Sequence, residues 1–96
     1  MKIWKWQLNV EDRQQISMPK GAQILTVQIQ HDVLCLWALV DDTAGPFQQE
    51  SRWVAIIGTG NPIPTSLKLK QYIGTFQLYG GDLVFHVLNT DIKSQR

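Results

Sequence analysis

Three features of this 96-residue sequence have the residue types that chemistry needs: a glycine-rich loop, two histidines and one cysteine. The loop covers residues 58–64 with the sequence GTGNPIP, and backbone N–H groups in such turns can bind anions. A phosphate-binding loop also needs a following helix and a Lys-Ser or Lys-Thr pair, whereas prolines follow here. The loop is therefore interpreted first as a rigid connection between strands. The functional alternative is a lip that contacts a small polar ligand.

His86 is the second candidate, because an imidazole can act as an acid, a base or a metal ligand near neutral pH. A lone histidine in an alternating segment is more simply a hydrogen-bonded structural residue. Cys35 could serve as a nucleophile with His86 as its base, but it lies in a continuous apolar run, and buried thiols are poor nucleophiles. His31 lies in a predicted turn and is far from His86 in the sequence. We therefore predict no catalytic residue, no metal ligand, no cofactor and no enzyme activity.

Composition and charge exclude several classes of partner. The formal net charge is +1, from nine basic and eight acidic residues that form no run. Binding to nucleic acids or to anionic membranes rests on clustered Lys and Arg, so we predict neither partner. No apolar segment approaches the ~20 residues of a membrane span, and the opening MKIWKWQ lacks the apolar region of a signal peptide. With one cysteine, the chain fits a reducing compartment, and we predict a cytoplasmic protein.

The elements that must position these residues are predicted to be short β-strands, because apolar and polar residues alternate with a period of two. The predicted strands cover residues 2–10, 15–18, 22–30, 33–40, 52–57, 72–79 and 83–89. The strand at 15–18 is expected to return beside the first strand. Tight turns are predicted at residues 30–32 and at Gly80-Gly81, with at most one short helical turn, at residues 65–70.

This pattern predicts an all-β fold, a small antiparallel barrel or sandwich of six or seven short strands. We expect a single β domain over residues 1–89 and a polar tail over residues 90–96.

Several stretches of the sequence also resemble a known family. The opening MKIWKWQL, the segments MPKGAQILTVQIQ and CLWALVD, the loop GTGNPIP and the stretch YIGTFQLYGGDLVFHV are together similar to a family of small uncharacterised proteins. That family is a domain of unknown function common in bacteriophages and prophages. The resemblance runs from Met1 to about Val87 and implies a phage-related setting, but no activity, cofactor or partner. It directs attention to the motif positions Gly58, Thr59, Gly60, Pro62, Ile63, Pro64, Gly74, Thr75, Gln77, Tyr79, Gly80 and His86.

We therefore predict a non-catalytic binding module of phage or prophage type. It would occupy a host protein or sequester a small ligand, nucleotide-derived ligands included. A nucleotide would need positive groups such as Arg52, Lys68 or Lys70 near the Gly58 loop. The candidate ligand-binding residues are Gly58, Thr59, Gly60, Asn61, Arg52, Tyr79 and His86.

Two alternatives remain open at this point. The first is a structural or assembly protein that forms a homo-oligomer, since the charged fraction is low, the first strand carries Trp4 and Trp6, and exposed strand edges tend to pair. The second is a small enzyme that uses His86. It requires an accessible imidazole with a partner within hydrogen-bond reach.

Overall fold

The computed structural model describes residues 1–43 and 48–92, which form seven β-strands and one short 3-10 turn. The predicted tail residues 93–96 lie outside the described residues. The strands are β1 (Lys2–Gln7), β2 (Arg13–Pro19), β3 (Gln23–Gln30), β4 (Val33–Val40), β5 (Gln49–Gly58), β6 (Leu67–Leu78) and β7 (Leu83–Ile92), and the 3-10 turn is Tyr79–Gly81.

The strands form two antiparallel sheets whose inner faces share one hydrophobic core. The smaller sheet has the order β1-β4-β3 and the larger one β2-β5-β7-β6. Alternate residues of β4 supply the centre of the core, and Leu36 and Ala38 are fully buried. The other sheet contributes Val54 and Val87 to the same core cluster, and both are fully buried. The all-β antiparallel prediction is confirmed, and the sheets do not join into a closed barrel.

The predicted hairpin between β3 and β4 is also confirmed. His31 and Asp32 connect the strands with φ angles of +50° and +64°, as the two-residue turn that matches strand twist requires. Cys35 lies on β4 on the face away from the shared core, and it is a free thiol with 3% of its surface exposed.

The pairing of β2 differs from the prediction. β2 pairs with β5, not with β1, in a register that places Arg13 opposite Ala55. The indole N–H of Trp6 donates to the Ser17 carbonyl (3.2 Å), so a side chain occupies the place between β1 and β2 where backbone pairing was expected. Strand neighbours in sequence pair only about two-thirds of the time, and here the core favours β2 in the other sheet.

The predicted helical turn at residues 65–70 is wrong. The Leu67 N–H donates to the Pro64 carbonyl (3.1 Å), and β6 begins at Leu67 because β7 is long enough to pair with it there. β7 itself continues to Ile92, three residues beyond the end predicted for that strand. The helical turn lies instead in the β6–β7 connection, where Gly80 and Gly81 take φ angles of +67° and +100°.

The connection from β5 to β6 is the feature that builds the site. β5 and β6 are both antiparallel to β7, which lies between them. They therefore run parallel to each other, so residues 59–66 must carry the chain back along the length of β7. We call residues 59–66 the crossover.

Candidate functional site

The crossover lies over the outer face of the four-stranded sheet, the face turned away from the shared core. Cross-strand register places Ile57, His86 and Thr75 in one row on this face. Ala55 and Leu88 form the next row and are almost fully buried without belonging to the core cluster. The crossover returns across this face, and its first residue, Thr59, contacts His86 in the adjacent row.

A chain of hydrogen-bonding side chains ties the start of the crossover to the sheet through His86. His86 Nε2 lies 2.7 Å from Thr59 Oγ1. On the other side of the ring, Nδ1 lies 2.6 Å from the Tyr72 hydroxyl and 3.4 Å from Thr75 Oγ1. Tyr72 and Thr75 also hydrogen-bond to each other. We call these four residues the His86 cluster.

The proton positions in the His86 cluster follow from the acceptor at its end. Thr59 Oγ1 donates to the Val84 carbonyl (3.2 Å), so in this arrangement Nε2 carries the proton and donates to Oγ1. Nδ1 then accepts from Tyr72. Rotation of the hydroxyls reverses every donor, because each hydroxyl can donate or accept. The chain can therefore hold the imidazole in either neutral tautomer.

A recess opens between the crossover and the β2 side of the sheet, and we call it the Arg13 recess. Its volume is about 320 Å³. Its wall is polar and apolar in similar measure, and Asp12, Arg13 and Asn61 are the lining residues with polar side chains. The lining residues are Asp12, Arg13, Ile56, Ile57, Gly58, Asn61, Pro62, Pro64, Leu67 and Phe85.

A second recess of about 540 Å³ lies on the side of the β6–β7 turn, and we call it the Leu83 recess. It is lined by Gly58, Thr59, Asn61, Asp82, Leu83, Val84 and Phe85. The two recesses share three residues, Gly58, Asn61 and Phe85. The glycine loop and the end of the β6–β7 turn therefore meet at one end of the sheet.

Gly58 has a steric role at this meeting point. A Cβ added there would lie 2.8 Å from Asn61 Nδ2 and 3.6 Å from the Phe85 ring. The Asn61 N–H donates to the Gly58 carbonyl (3.0 Å), which closes the tight turn. The absence of a side chain at Gly58 thus allows Asn61 to fold back between the two recesses.

Of the predicted ligand-binding residues, the structure brings four together: Gly58, Thr59, Asn61 and His86. Gly60 is exposed in the same loop with a φ of +88°. Tyr79 is 76% exposed in the β6–β7 turn and lines neither recess. Arg52 lies six residues before Gly58 on β5, about 20 Å away along an extended strand, so it does not reach the loop.

Sequence reasoning missed several residues of the site. Tyr72 was not named, and Thr75 was named only as a motif position of the resemblance. Both lie beside His86 because the β6–β7 hairpin sets Thr75 opposite His86, and counting back from the Gly80-Gly81 turn could have found them. No sequence signal places Asp12 and Arg13 beside residues 58–64, since that proximity depends on β2 pairing with β5.

The structure keeps the one cysteine of the chain apart from His86. Cys35 is buried in the three-stranded sheet, whereas His86 lies in the four-stranded sheet. Within residues 1–43 and 48–92, no cluster of three His, Cys, Asp or Glu side chains is arranged to hold a metal ion. No helix of the described chain is long and apolar enough to span a membrane.

The architecture and the two recesses define a small antiparallel β-sandwich domain with a crossover-covered outer face. The chain belongs to a domain family of unknown function, DUF7352, whose model matches residues 1–96. No curated protein and no solved structure matches the chain.

Proposed function

We propose that this domain is a non-catalytic binding module that holds a small molecule in the Arg13 recess. The observation that supports this most is that Arg13, Asp12 and Asn61 line one recess together with apolar residues of β5, the crossover and β7. Small-molecule sites combine apolar walls with a few placed polar groups. A recess of about 320 Å³ lies at the lower end of the range for such sites.

The lining limits the chemistry of the ligand. Pro62, Pro64 and Phe85 offer flat or rigid apolar surfaces, which suit the face of a planar ring. Arg13 and Asn61 supply hydrogen-bond donors, and Asp12 supplies an acceptor. We propose a ligand with a flat ring and a polar edge, the class to which nucleobases and nucleosides belong.

The charge in the Arg13 recess argues against a polyanionic ligand. Among the described residues that line the recess, Arg13 is the only one with a positive charge. The neighbouring Asp12 carries a negative charge that offsets it. The other cations named for a nucleotide do not line this recess. A neutral or singly charged ligand fits better than a nucleoside polyphosphate.

We also propose, from the family resemblance, a bacteriophage or prophage setting and, from the single cysteine, a location in the host cytoplasm. There the ligand would be a host-derived small molecule, and the module would act by occupancy. Binding to a host protein and homo-oligomerisation remain alternatives within this proposal.

Native mass spectrometry of the purified protein tests the binding function. We expect the wild-type protein to carry a small bound mass that denaturation releases. Arg13→Gln should weaken the affinity for that mass at least about tenfold and so lower its occupancy, because one hydrogen bond to a charged group contributes roughly 1.5–3 kcal/mol. The same spectra report the oligomeric state.

Gln15→Ala is the matched control, since Gln15 is exposed on the same strand and does not line the recess. It should keep the full occupancy. A wild-type protein with no bound mass, whose amide signals also do not move on titration with adenosine or uridine, would count against the proposal. An equal loss of ligand occupancy in Arg13→Gln and Gln15→Ala would also count against the proposal.

The geometry of the His86 cluster favours one second candidate, a small acyl-transferring hydrolase. A hydroxyl nucleophile, an imidazole base and a third group that orients the base are the parts such catalysis needs. With Nδ1 donating to Tyr72, Nε2 can accept the Thr59 proton while Oγ1 attacks an ester carbonyl. The proton then passes to the leaving alkoxide, and water hydrolyses the acyl-Thr59 ester to restore the hydroxyl.

Substitution of Thr59 separates this enzyme from a structural role of the cluster. Thr59→Val should lower the free energy of unfolding by about 1 kcal/mol, the net value of a hydrogen bond, whether or not the domain is an enzyme. If the enzyme candidate is right, wild type and Thr59→Ser hydrolyse p-nitrophenyl acetate with a burst, and Thr59→Val does not. Equal rates for wild type and Thr59→Val would leave the cluster as a structural tie.

A further inference from the structure

We infer that β1 is an interaction surface at which two copies of this chain pair as antiparallel strands of one continuous sheet. β1 is an edge of the three-stranded sheet, because it pairs with β4 alone. The Leu8 N–H donates to the Leu34 carbonyl (2.8 Å), and bonded and non-bonded positions alternate along an antiparallel pair. The even-numbered residues of β1 therefore bond to β4. The odd-numbered residues Ile3, Lys5 and Gln7 direct their backbone N–H and C=O groups away from β4.

These outward backbone groups are unpaired within the part of the chain that the structure describes. No hydrogen bond there involves the backbone N–H or C=O of Ile3, Lys5 or Gln7. The next outward position is different, since the Asn9 N–H is bonded to Gln14 Oε1 (3.0 Å). A row of unpaired N–H and C=O groups at a sheet edge can pair with a further strand. β1 therefore offers three consecutive outward positions for such pairing.

The other three edge strands, β2, β3 and β6, are blocked or covered. On β2, Pro19 stands at an outward position without an N–H, and the Trp6 indole N–H donates to the outward carbonyl of Ser17 (3.2 Å). β3 and β6 lie against each other where Gln71 Nε2 donates to the Ile24 carbonyl (3.1 Å). Proline and coverage are usual ways to protect an edge. Among the described strands, β1 is the edge without such protection.

The two lysines of β1 do not keep another strand away. A lysine on an edge strand often has that effect. Here the Lys5 ammonium donates to Gln30 Oε1 (2.8 Å), and Gln30 lies on β3, so the side chain extends across β4 and away from the edge. Lys2 Nζ forms an ion pair with Asp42 Oδ2 (3.0 Å), which offsets its charge. Neither ammonium group therefore repels a strand that approaches β1.

The sequence of β1 is complementary to itself in an antiparallel register with the two-fold axis at Trp4. Ile3 of each copy then lies opposite Lys5 of the other, and both are outward positions, so about four main-chain hydrogen bonds form. Lys2 lies opposite Trp6 of the other copy. No lysine faces a lysine, an arrangement that would be destabilising. Ile3 is 59% exposed, and the apolar stem of Lys5 would cover it. A second copy is therefore the partner that fits this edge, in the isologous arrangement usual for dimers.

Amide hydrogen exchange tests the interface directly, because it reports on each backbone N–H separately. We expect analytical ultracentrifugation to give a dimer at about 100 μM protein, well above the micromolar dissociation constant of a weak specific interface. The N–H groups of Ile3 and Lys5 should exchange slowly in the dimer and faster on dilution. The Trp6 N–H, bonded to β4, should stay protected in the monomer. A monomer at that concentration, or a dimer whose Lys5 N–H exchanges as freely as an exposed amide, would overturn the proposal.

Proline substitutions at matched positions separate β1 from the β2 edge. Lys5→Pro removes one outward N–H from each copy and leaves the β1–β4 bonds in place. It should raise the dissociation constant of the dimer at least about fivefold, because each hydrogen bond contributes about 0.5–1.5 kcal/mol. Gln15→Pro is the control, since Gln15 has the same outward orientation on β2, and Lys5→Gln keeps the N–H. Both controls should dimerise as the wild type does. Equal dissociation constants for Lys5→Pro and Gln15→Pro, with both variants folded by circular dichroism, would contradict the proposal.

The β1 interface is separable from the proposed ligand site, because no residue of β1 lines the Arg13 recess or the Leu83 recess. Arg13→Gln should leave the dimer intact, and Lys5→Pro should leave any copurified mass in place. Dissociation of the dimer in Arg13→Gln to the same extent as in Lys5→Pro would contradict an interface at β1.

Discussion

Phe76→Ala is expected to lower the free energy of unfolding by about 3–5 kcal/mol, the usual loss for a large-to-small change at a buried aromatic residue. Phe76 is 4% exposed in the core, and its ring stacks on that of Phe85 with centroids 5.3 Å apart. A small domain has a total stability of only about 5–15 kcal/mol. The variant should therefore be close to unfolding at 37 °C.

Urea unfolding followed by circular dichroism measures this effect, with the urea dependence of the free energy checked for constancy between variants. Gln77→Ala is the control, because Gln77 is the next residue of β6 and is exposed, and it should change stability by less than about 0.5 kcal/mol. A loss below about 1 kcal/mol in Phe76→Ala would mean that the Phe pair is not a core element.

The same substitution bears on function, because Phe85 lines both recesses at the loop end. Without Phe76, the Phe85 ring loses the surface that fixes it. Phe76→Leu restores most of the buried volume but not the stacked ring. We therefore expect Phe76→Leu to keep most of the stability while the occupancy of the Arg13 recess falls.

Gly74→Val is expected to be the next most damaging change, with a loss of about 1–3 kcal/mol from overpacking. Gly74 lies where β6 passes β3 at the junction of the two sheets. A Cβ there would lie 3.1 Å from Val27 Cγ2 and 3.8 Å from the Val27 backbone N and O. The Cβ alone is already tight against Val27 Cγ2, so we expect the larger valine side chain to push β3 and β6 apart.

A double-mutant cycle with Val27→Ala tests the cause of this loss. Val27→Ala removes the Cγ2 that the new side chain meets. The double variant should therefore be more stable than the sum of the two single losses predicts, by about 0.5–3 kcal/mol, the usual range for residues in contact. Strict additivity would show that Gly74 matters for another reason, such as strand twist.

Several elements could be predicted from the sequence because their causes are local. The apolar run at residues 33–40 became β4 with those bounds, since eight consecutive apolar residues are stable only when buried on both faces. His31 and Asp32 adopt the positive φ angles of a tight turn. Gly80 and Gly81 do the same in the β6–β7 connection. Backbone sterics determine each of these without reference to the rest of the chain.

Sequence periodicity failed where a strand departs from regular pairing. A bulge between Ile24 and Thr26 puts Ile24 and Val27 in the core and leaves Leu25 39% exposed. One extra residue in a strand moves the side chains of all preceding residues of that strand to the opposite face of the sheet. Strict alternation over the predicted strand 22–30 would put Leu25 on the face of Val27, and a bulge has no consistent signature in a single sequence.

The candidate site shows the same division between local and tertiary causes. The sequence by itself determined that residues 58–64 form an irregular loop and that His86 lies on a strand, because glycine, proline and alternation act over a few residues. Only the tertiary structure decided that β7 lies between β5 and β6. That order sends the crossover over the outer face, brings Thr59 to His86 and Asn61 to Arg13, and leaves Arg52 and Lys70 at the far end. Strand order depends on which inner faces bury the most apolar surface together, a property of the whole chain that no local segment encodes.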